Sequence, residues 1–171
     1  MPGRPRPVTR SARLRPVTGP IVRSASAAAF ASGVMAVNEL NQDRDGDRRH
    51  VICWAGDGGT YDIGMATLSA AAERNENLIY ICYDNEGYGN TGQQYSGATP
   101  HGAKTATSRG MAGFSGYKKP LFDIWAAHRP AYVATVIGAE PLDLARKIEK
   151  AKGLKGPRLI IALSPCPTGW D

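Results

Sequence analysis

The sequence predicts an α/β protein, a doubly wound parallel sheet, and three observations carry that prediction. Short apolar runs alternate with helix-patterned stretches, the runs are apolar at nearly every position as in strands covered on both faces, and glycine-rich turns follow two of them. With 171 residues the chain is long enough for one domain with a real core.

Taken in order, residues 25 to 40, ASAAAFASGVMAVNEL, read as an Ala-rich helix, and HVICWA (50 to 55) as a buried strand. DIGMATLSAAAER (62 to 74) reads as a helix and LIYICYD (78 to 84) as the next strand. A segment rich in Gly, Thr and Ser runs from Asn85 to about Lys119, too long for an ordinary connection, and is expected to be functional or disordered. Then LFDIWAAHR reads as a helix, AYVATVI as a strand, PLDLARKIEKAK as a helix with Pro141 in its first turn, and RLIIALS as a strand. No internal repeat interrupts this alternation.

The formal charge of +6 points toward nucleic acid until it is located. Residues 1 to 23 carry six arginines, five prolines and no acid, and without them the basic and acidic residues balance at fifteen each. The basicity therefore belongs to an arm, residues 1–23, expected to be disordered because its prolines remove backbone donors; residues 24–171 form the domain. No apolar run approaches the roughly 18 residues of a membrane span, so the expectation is a soluble, cytoplasmic protein that binds neither membrane nor nucleic acid.

Three cysteines, Cys53, Cys82 and Cys166, are odd in number and far apart, which is no disulfide framework. Cys53 and Cys82 lie within strand runs and read as small buried hydrophobes. Cys166, in SPCPTGW, follows a strand and sits between prolines in a turn.

In an open parallel sheet, ligands bind beyond the carboxyl ends of the strands, where both unusual turns lie. The first, Gly56-Asp57-Gly58-Gly59-Thr60, leads into a helix, so its N–H groups can hold a phosphate while glycine permits close approach. A carboxylate beside a diphosphate repels it unless a hard cation lies between, and Mg²⁺ uses one or two protein oxygens with phosphate oxygens and water. The turn therefore predicts a metal-bridged diphosphate. The second, Asp84-Asn85-Glu86-Gly87, offers the Asn85 amide oxygen and the Gly87 carbonyl, which neighbouring parallel strands would bring near Asp57. Other readings stay open: Asp57 as a helix cap, Asn85 as a turn residue in the left-handed region, and Asn90 and Thr91 as polar loop groups.

GDG followed after 26 residues by Asn resembles the thiamine diphosphate signature. With YICYDNEGYGNTGQQYSGATP and SPCPTGW, the stretch from about Ala27 to Trp170 resembles the beta subunit of the 2-oxoacid:ferredoxin oxidoreductases, especially of the pyruvate synthase type. That resemblance implies that Asp57, the Asn85 side chain and the Gly87 carbonyl hold Mg²⁺, and that Gly56, Gly58 and Gly59 border the diphosphate. It places Asn90, in the NTG motif with Thr91, near the thiazolium and the substrate carbonyl; Glu86 is expected either to hydrogen-bond the cofactor loop or to face water, and Tyr88 is counted with it among the cofactor-binding candidates. It further implies oxidative decarboxylation of a 2-oxoacid, pyruvate first, to an acyl-coenzyme A and CO₂. Electrons would pass to ferredoxin or a ferredoxin-like subunit, and an alpha-type subunit would supply the domain for the aminopyrimidine. A non-oxidative decarboxylase or acetolactate-type enzyme, or a catalytically silent binding module, are the alternatives.

The chain also departs from the pattern. Family beta subunits bind a proximal 4Fe-4S cluster with a Cys-x-x-Cys region, a further Cys and the Cys of the SPCPTGW turn; only Cys166 has a counterpart here, so this chain alone is expected to hold no cluster. Ser26 stands where the family has Asn, and the chain stops at Asp171. A shortened subunit, or a partner chain supplying the missing parts, is the expectation. His50, His101 and His128 lack ligand spacing, Lys147, Lys150, Lys152 and Lys155 read as a solvated helix face, and Tyr83, Tyr88 and Tyr95 wall the site or meet a partner.

Overall fold

The computed structural model describes residues 26–45, 50–108 and 113–170; the Arg- and Pro-rich arm falls outside them. Helix α1 (Ala27–Asp45) precedes strand β1 (Val51–Gly56), and α2 (Met65–Glu73) precedes β2 (Leu78–Asp84). After the long connection come α3 (Leu121–Ala127), β3 (Tyr132–Ile137), α4 (Pro141–Lys152) and β4 (Arg158–Leu163). The four strands form one parallel sheet in the order β1-β2-β4-β3.

Alternation along the strands sends side chains to two cores. Cys53, Tyr80, Cys82, Leu159 and Ile161 face Ala28, Ala31 and Met35 of α1, Leu68 and Ala71 of α2, and Trp125 of α3. Ile79, Ile81, Val136 and Ile160 face Ala151, Leu144 and Ile148 of α4 on the other side. β2 is thereby covered on both faces, which is why LIYICYD is apolar at almost every position. Each large side chain buried this way contributes roughly 2 kcal/mol. Among the described residues, no helix is long and apolar enough to cross a membrane.

Two boundaries differ from the sequence reading. α1 runs on to Asp45, and the helix predicted over 62 to 74 begins as α2 only at Met65, with a separate π-helical turn, Gly58–Asp62, before it. Glycines at 58, 59 and 64 weaken ordinary α-helical winding there, and the Thr60 hydroxyl bonds back to the Gly56 carbonyl at 2.7 Å. The segment after Asn85 is ordered in its described parts, with 3-10 turns at Gly89–Thr91 and Ala106–Ser108.

Candidate functional site

Strand register builds the site. Gly56 of β1 pairs with Tyr83 of β2, so Asp57 and Asp84 leave the sheet side by side. Asp84 in turn pairs with Leu163 of β4, and the Ser164 amide donates to the Asp84 carbonyl at 2.8 Å, which brings the Cys166 turn to the same edge.

Asp57 is 3% exposed, and its side chain makes no cap to the helical turn that follows. Its Oδ2 instead accepts from the Ser96 hydroxyl, delivered by the long connection, so the capping alternative is excluded. Burial pushes the Asp57 carboxyl up to about 6; the Ser96 bond opposes this and the charge of Asp84 adds to it.

One terminal atom of the Asn85 amide lies 2.6 Å from the Gly87 carbonyl oxygen and 2.8 Å from Asp57 Oδ1. With nitrogen there, the amide donates to both oxygens. With oxygen there, three acceptors converge, an arrangement that a hard cation such as Mg²⁺ set between them would satisfy. The residues of the implied metal site therefore fit the group. The left-handed residue of this turn is Glu86, at φ 64°, and not Asn85, so Asn85 does not serve the turn through a left-handed backbone.

The remaining candidates fall into two sets. Gly56 and the buried Gly58 and Gly59 lie at or beside Asp57. The Tyr88 ring rests directly on Gly58, where a β-carbon would come within 2.1 Å of Cε1, so a larger residue there would have to displace the ring. Tyr88 OH donates to Asp62 Oδ2 at 3.0 Å. Asn90 and Thr91 occupy the exposed 3-10 turn, and no hydrogen bond ties them to Asp57 or Asn85. The Thr91 hydroxyl bonds locally, to the Tyr88 carbonyl at 3.3 Å and to Gln94.

Cys166 lies in the turn beyond β4, and Trp170 of that turn donates its Nε1 to the Asn85 carbonyl at 2.9 Å. The Thr168 hydroxyl and amide lower the Cys166 thiol below its ordinary value. Cys53 and Cys82 are buried and free, as expected. The Gln93 side-chain amide packs between Gly87 and Gly169 with both polar atoms buried and unpartnered.

Several residues escaped the sequence reading. Ser96 holds Asp57; Asp62 accepts from Tyr88, from the Gly97 amide at 2.9 Å and from Lys119 at 2.7 Å; Lys118 bridges Asp84 and Glu86. Burial works against the Lys118 ammonium, but its bonds to both carboxylates outweigh this and hold it above an ordinary lysine. Only the adjacent lysines at 118 and 119, set in a Gly-rich segment, hinted at them. A cavity of about 540 Å³ opens beside Ser96, walled by Tyr88, Tyr95, Phe114 and Tyr117, so two of the three tyrosines line it while Tyr83 stacks on Trp54.

Comparison with known proteins adds the following. The family model described as thiamine pyrophosphate enzyme, C-terminal TPP binding domain, matches residues 19–162. Pyruvate synthase subunit PorB of Methanothermobacter marburgensis is 47% identical over 148 residues, covering 85% of this chain and 50% of that protein. Ketoisovalerate oxidoreductase subunit VorB of Pyrococcus furiosus is 44% identical over 156 residues, 90% of this chain and 48% of that protein. Among solved structures, the 2-oxoglutarate:ferredoxin oxidoreductase from Magnetococcus marinus, with 2-oxoglutarate, coenzyme A and succinyl-CoA bound, matches at a TM-score of 0.74 and 26% identity. That alignment covers 86% of this chain and 47% of the other. The chain spans about half the length of the curated relatives it matches.

Proposed function

This chain belongs to the family of thiamine pyrophosphate enzyme C-terminal TPP binding domains, and from that premise we propose that it is the diphosphate- and metal-gripping part of a 2-oxoacid:ferredoxin oxidoreductase. The observation that carries the reading is the convergence of Asp57 Oδ1, the Asn85 amide and the Gly87 carbonyl at 2.6 and 2.8 Å. These three groups would hold Mg²⁺, and Gly56, Gly58 and Gly59 would border the diphosphate.

When bound, thiamine diphosphate supplies a ring that takes up the electron pair released as CO₂ leaves. The chain's own residues bind and orient. Asp57, as a carboxylate, would hold the cation whose charge offsets the diphosphate; Ser96 fixes the rotamer of that carboxylate; Tyr88 walls the turn at Gly58. Asn90 and Thr91, free of the metal cluster and open to solvent, are assigned to the substrate carbonyl, and Glu86 is assigned to bracing the cofactor loop.

The substrate we assign is pyruvate, with branched-chain 2-oxoacids, 2-oxoglutarate and aryl pyruvates behind it. The partners we assign are an alpha-type subunit for the aminopyrimidine, a ferredoxin-like acceptor and coenzyme A. The assembled complex should reduce ferredoxin with pyruvate only when coenzyme A is present. Equal turnover without coenzyme A or an electron acceptor would point to a non-oxidative decarboxylase instead.

A further inference from the structure

Two carboxylates close adjacent strands at this site, and their surroundings differ. Asp84 is 1% exposed, yet its Oδ2 accepts from Lys118 Nζ at 2.9 Å and from the Tyr61 hydroxyl at 2.9 Å, and its Oδ1 from the Glu86 amide at 3.1 Å. Its charge is thus cancelled within the protein. Asp57 has the Ser96 hydroxyl and the Asn85 amide but, among the described residues, no cation.

Lys118 makes a second bond, 2.9 Å to Glu86 Oε1, and lies 5.8 Å from the centre of the Tyr61 ring. Glu86 holds φ 64°, a left-handed conformation that crowds the β-carbon against the backbone and that neighbouring contacts must hold. Three contacts hold it there: its amide on Asp84, its carbonyl accepting from Thr99 Oγ1 at 2.6 Å, and its carboxylate on Lys118. The chain reversal at Glu86 turns the next carbonyl, Gly87, back against the Asn85 amide.

We propose that Lys118 is a positioning residue for the divalent cation: it occupies the charge of Asp84, keeping that carboxylate out of the cation's shell, and clamps Glu86 so that the Gly87 carbonyl aims at Asp57 and Asn85. The inference rests on the metal-site reading above. Lys118 bonds to none of Asp57, Asn85 and Gly87, and acts through Asp84 and Glu86.

The test uses the full chain with Mn²⁺ and thiamine diphosphate, free Mn²⁺ being counted by electron paramagnetic resonance and stability followed by thermal unfolding. Lys118→Met should weaken Mn²⁺ binding at least tenfold, whereas Lys118→Arg, which keeps the charge and the donors, should stay within threefold of wild type. In Lys118→Met/Asp84→Asn the carboxylate that Lys118 neutralised is removed along with it, so the stability lost in Lys118→Met should recover while Mn²⁺ binding stays weak, because Glu86 has still lost its clamp. Recovery of both together, or unchanged binding in Lys118→Met, would overturn the proposal. Should Lys118→Met fail to fold, the double variant alone decides. Mn²⁺ binding that is undiminished in Asp57→Ala would instead refute the metal-site reading itself.

Discussion

The Ser96 hydroxyl donates to Asp57 Oδ2 across 39 residues of sequence, fixing a buried carboxylate at the end of β1 without neutralising it. A negative charge held dry and unpaired costs stability in the metal-free chain, and it is the feature a cation would exploit.

Asp57→Ala should therefore abolish Mg²⁺-dependent binding of thiamine diphosphate, measured calorimetrically with the partner subunit present. Asp57→Asn should do the same while stabilising the metal-free chain. The folded-state value near 6 lies above that of an unfolded aspartate, so the stability associated with the protonated form is present at low pH and lost as pH rises through about 6. At pH 7 in chelator, the Asn variant should gain roughly 1 kcal/mol in urea unfolding. A loss of stability together with intact cofactor binding would remove Asp57 from the site.

Trp170 ties the turn after β4 to the Asn85 turn through the 2.9 Å bond to the Asn85 carbonyl. Trp170→Phe keeps most of the ring and deletes the donor. It should cost about 1 kcal/mol of stability and weaken Mg²⁺ affinity in the same preparation. Equal affinity in the two proteins would show that the turns are not coupled.

Gly58 and Tyr88 form a close pair, since a β-carbon at Gly58 would meet the ring at 2.1 Å. Gly58→Ala should destabilise by roughly 1–3 kcal/mol through overpacking. In Gly58→Ala/Tyr88→Ala the clash is gone, so the double variant should be more stable than the sum of the single effects, and strict additivity in a double-mutant cycle would contradict the contact.

The three cysteines should react at different rates. Burial pushes Cys53 up to about 11 and Cys82 up to about 12, whereas bonds from Thr168 lower Cys166. Below an ordinary thiol's value more thiolate is present at pH 7.5, so iodoacetamide should label Cys166 first, and Thr168→Val should slow it. Anaerobic reconstitution of this chain alone with iron and sulfide should leave it colourless, because two of its three thiols are locked in strands. Four irons per chain would overturn that expectation.

The alternation of strands and helices, the two-faced burial of β2 and the placement of both turns at the carboxyl edge were legible in the sequence. All depend on local pattern: apolar run length, glycine position and helical periodicity. The convergence of Asp57, Asn85 and Gly87 was legible for the same reason, because consecutive strands that pair in parallel bring their ends together. The sheet's closure through β4, the Ser96 hydroxyl on Asp57, the Tyr88 ring over Gly58 and the Lys118 clamp were decided by tertiary structure alone. Each joins residues separated by some 30 or more positions, and no periodic pattern in the chain encodes which polar side chain of a long connection will reach a given strand end. That choice follows from how residues 85 to 119 fold back over the sheet edge, where buried carboxylates must find donors once water is excluded.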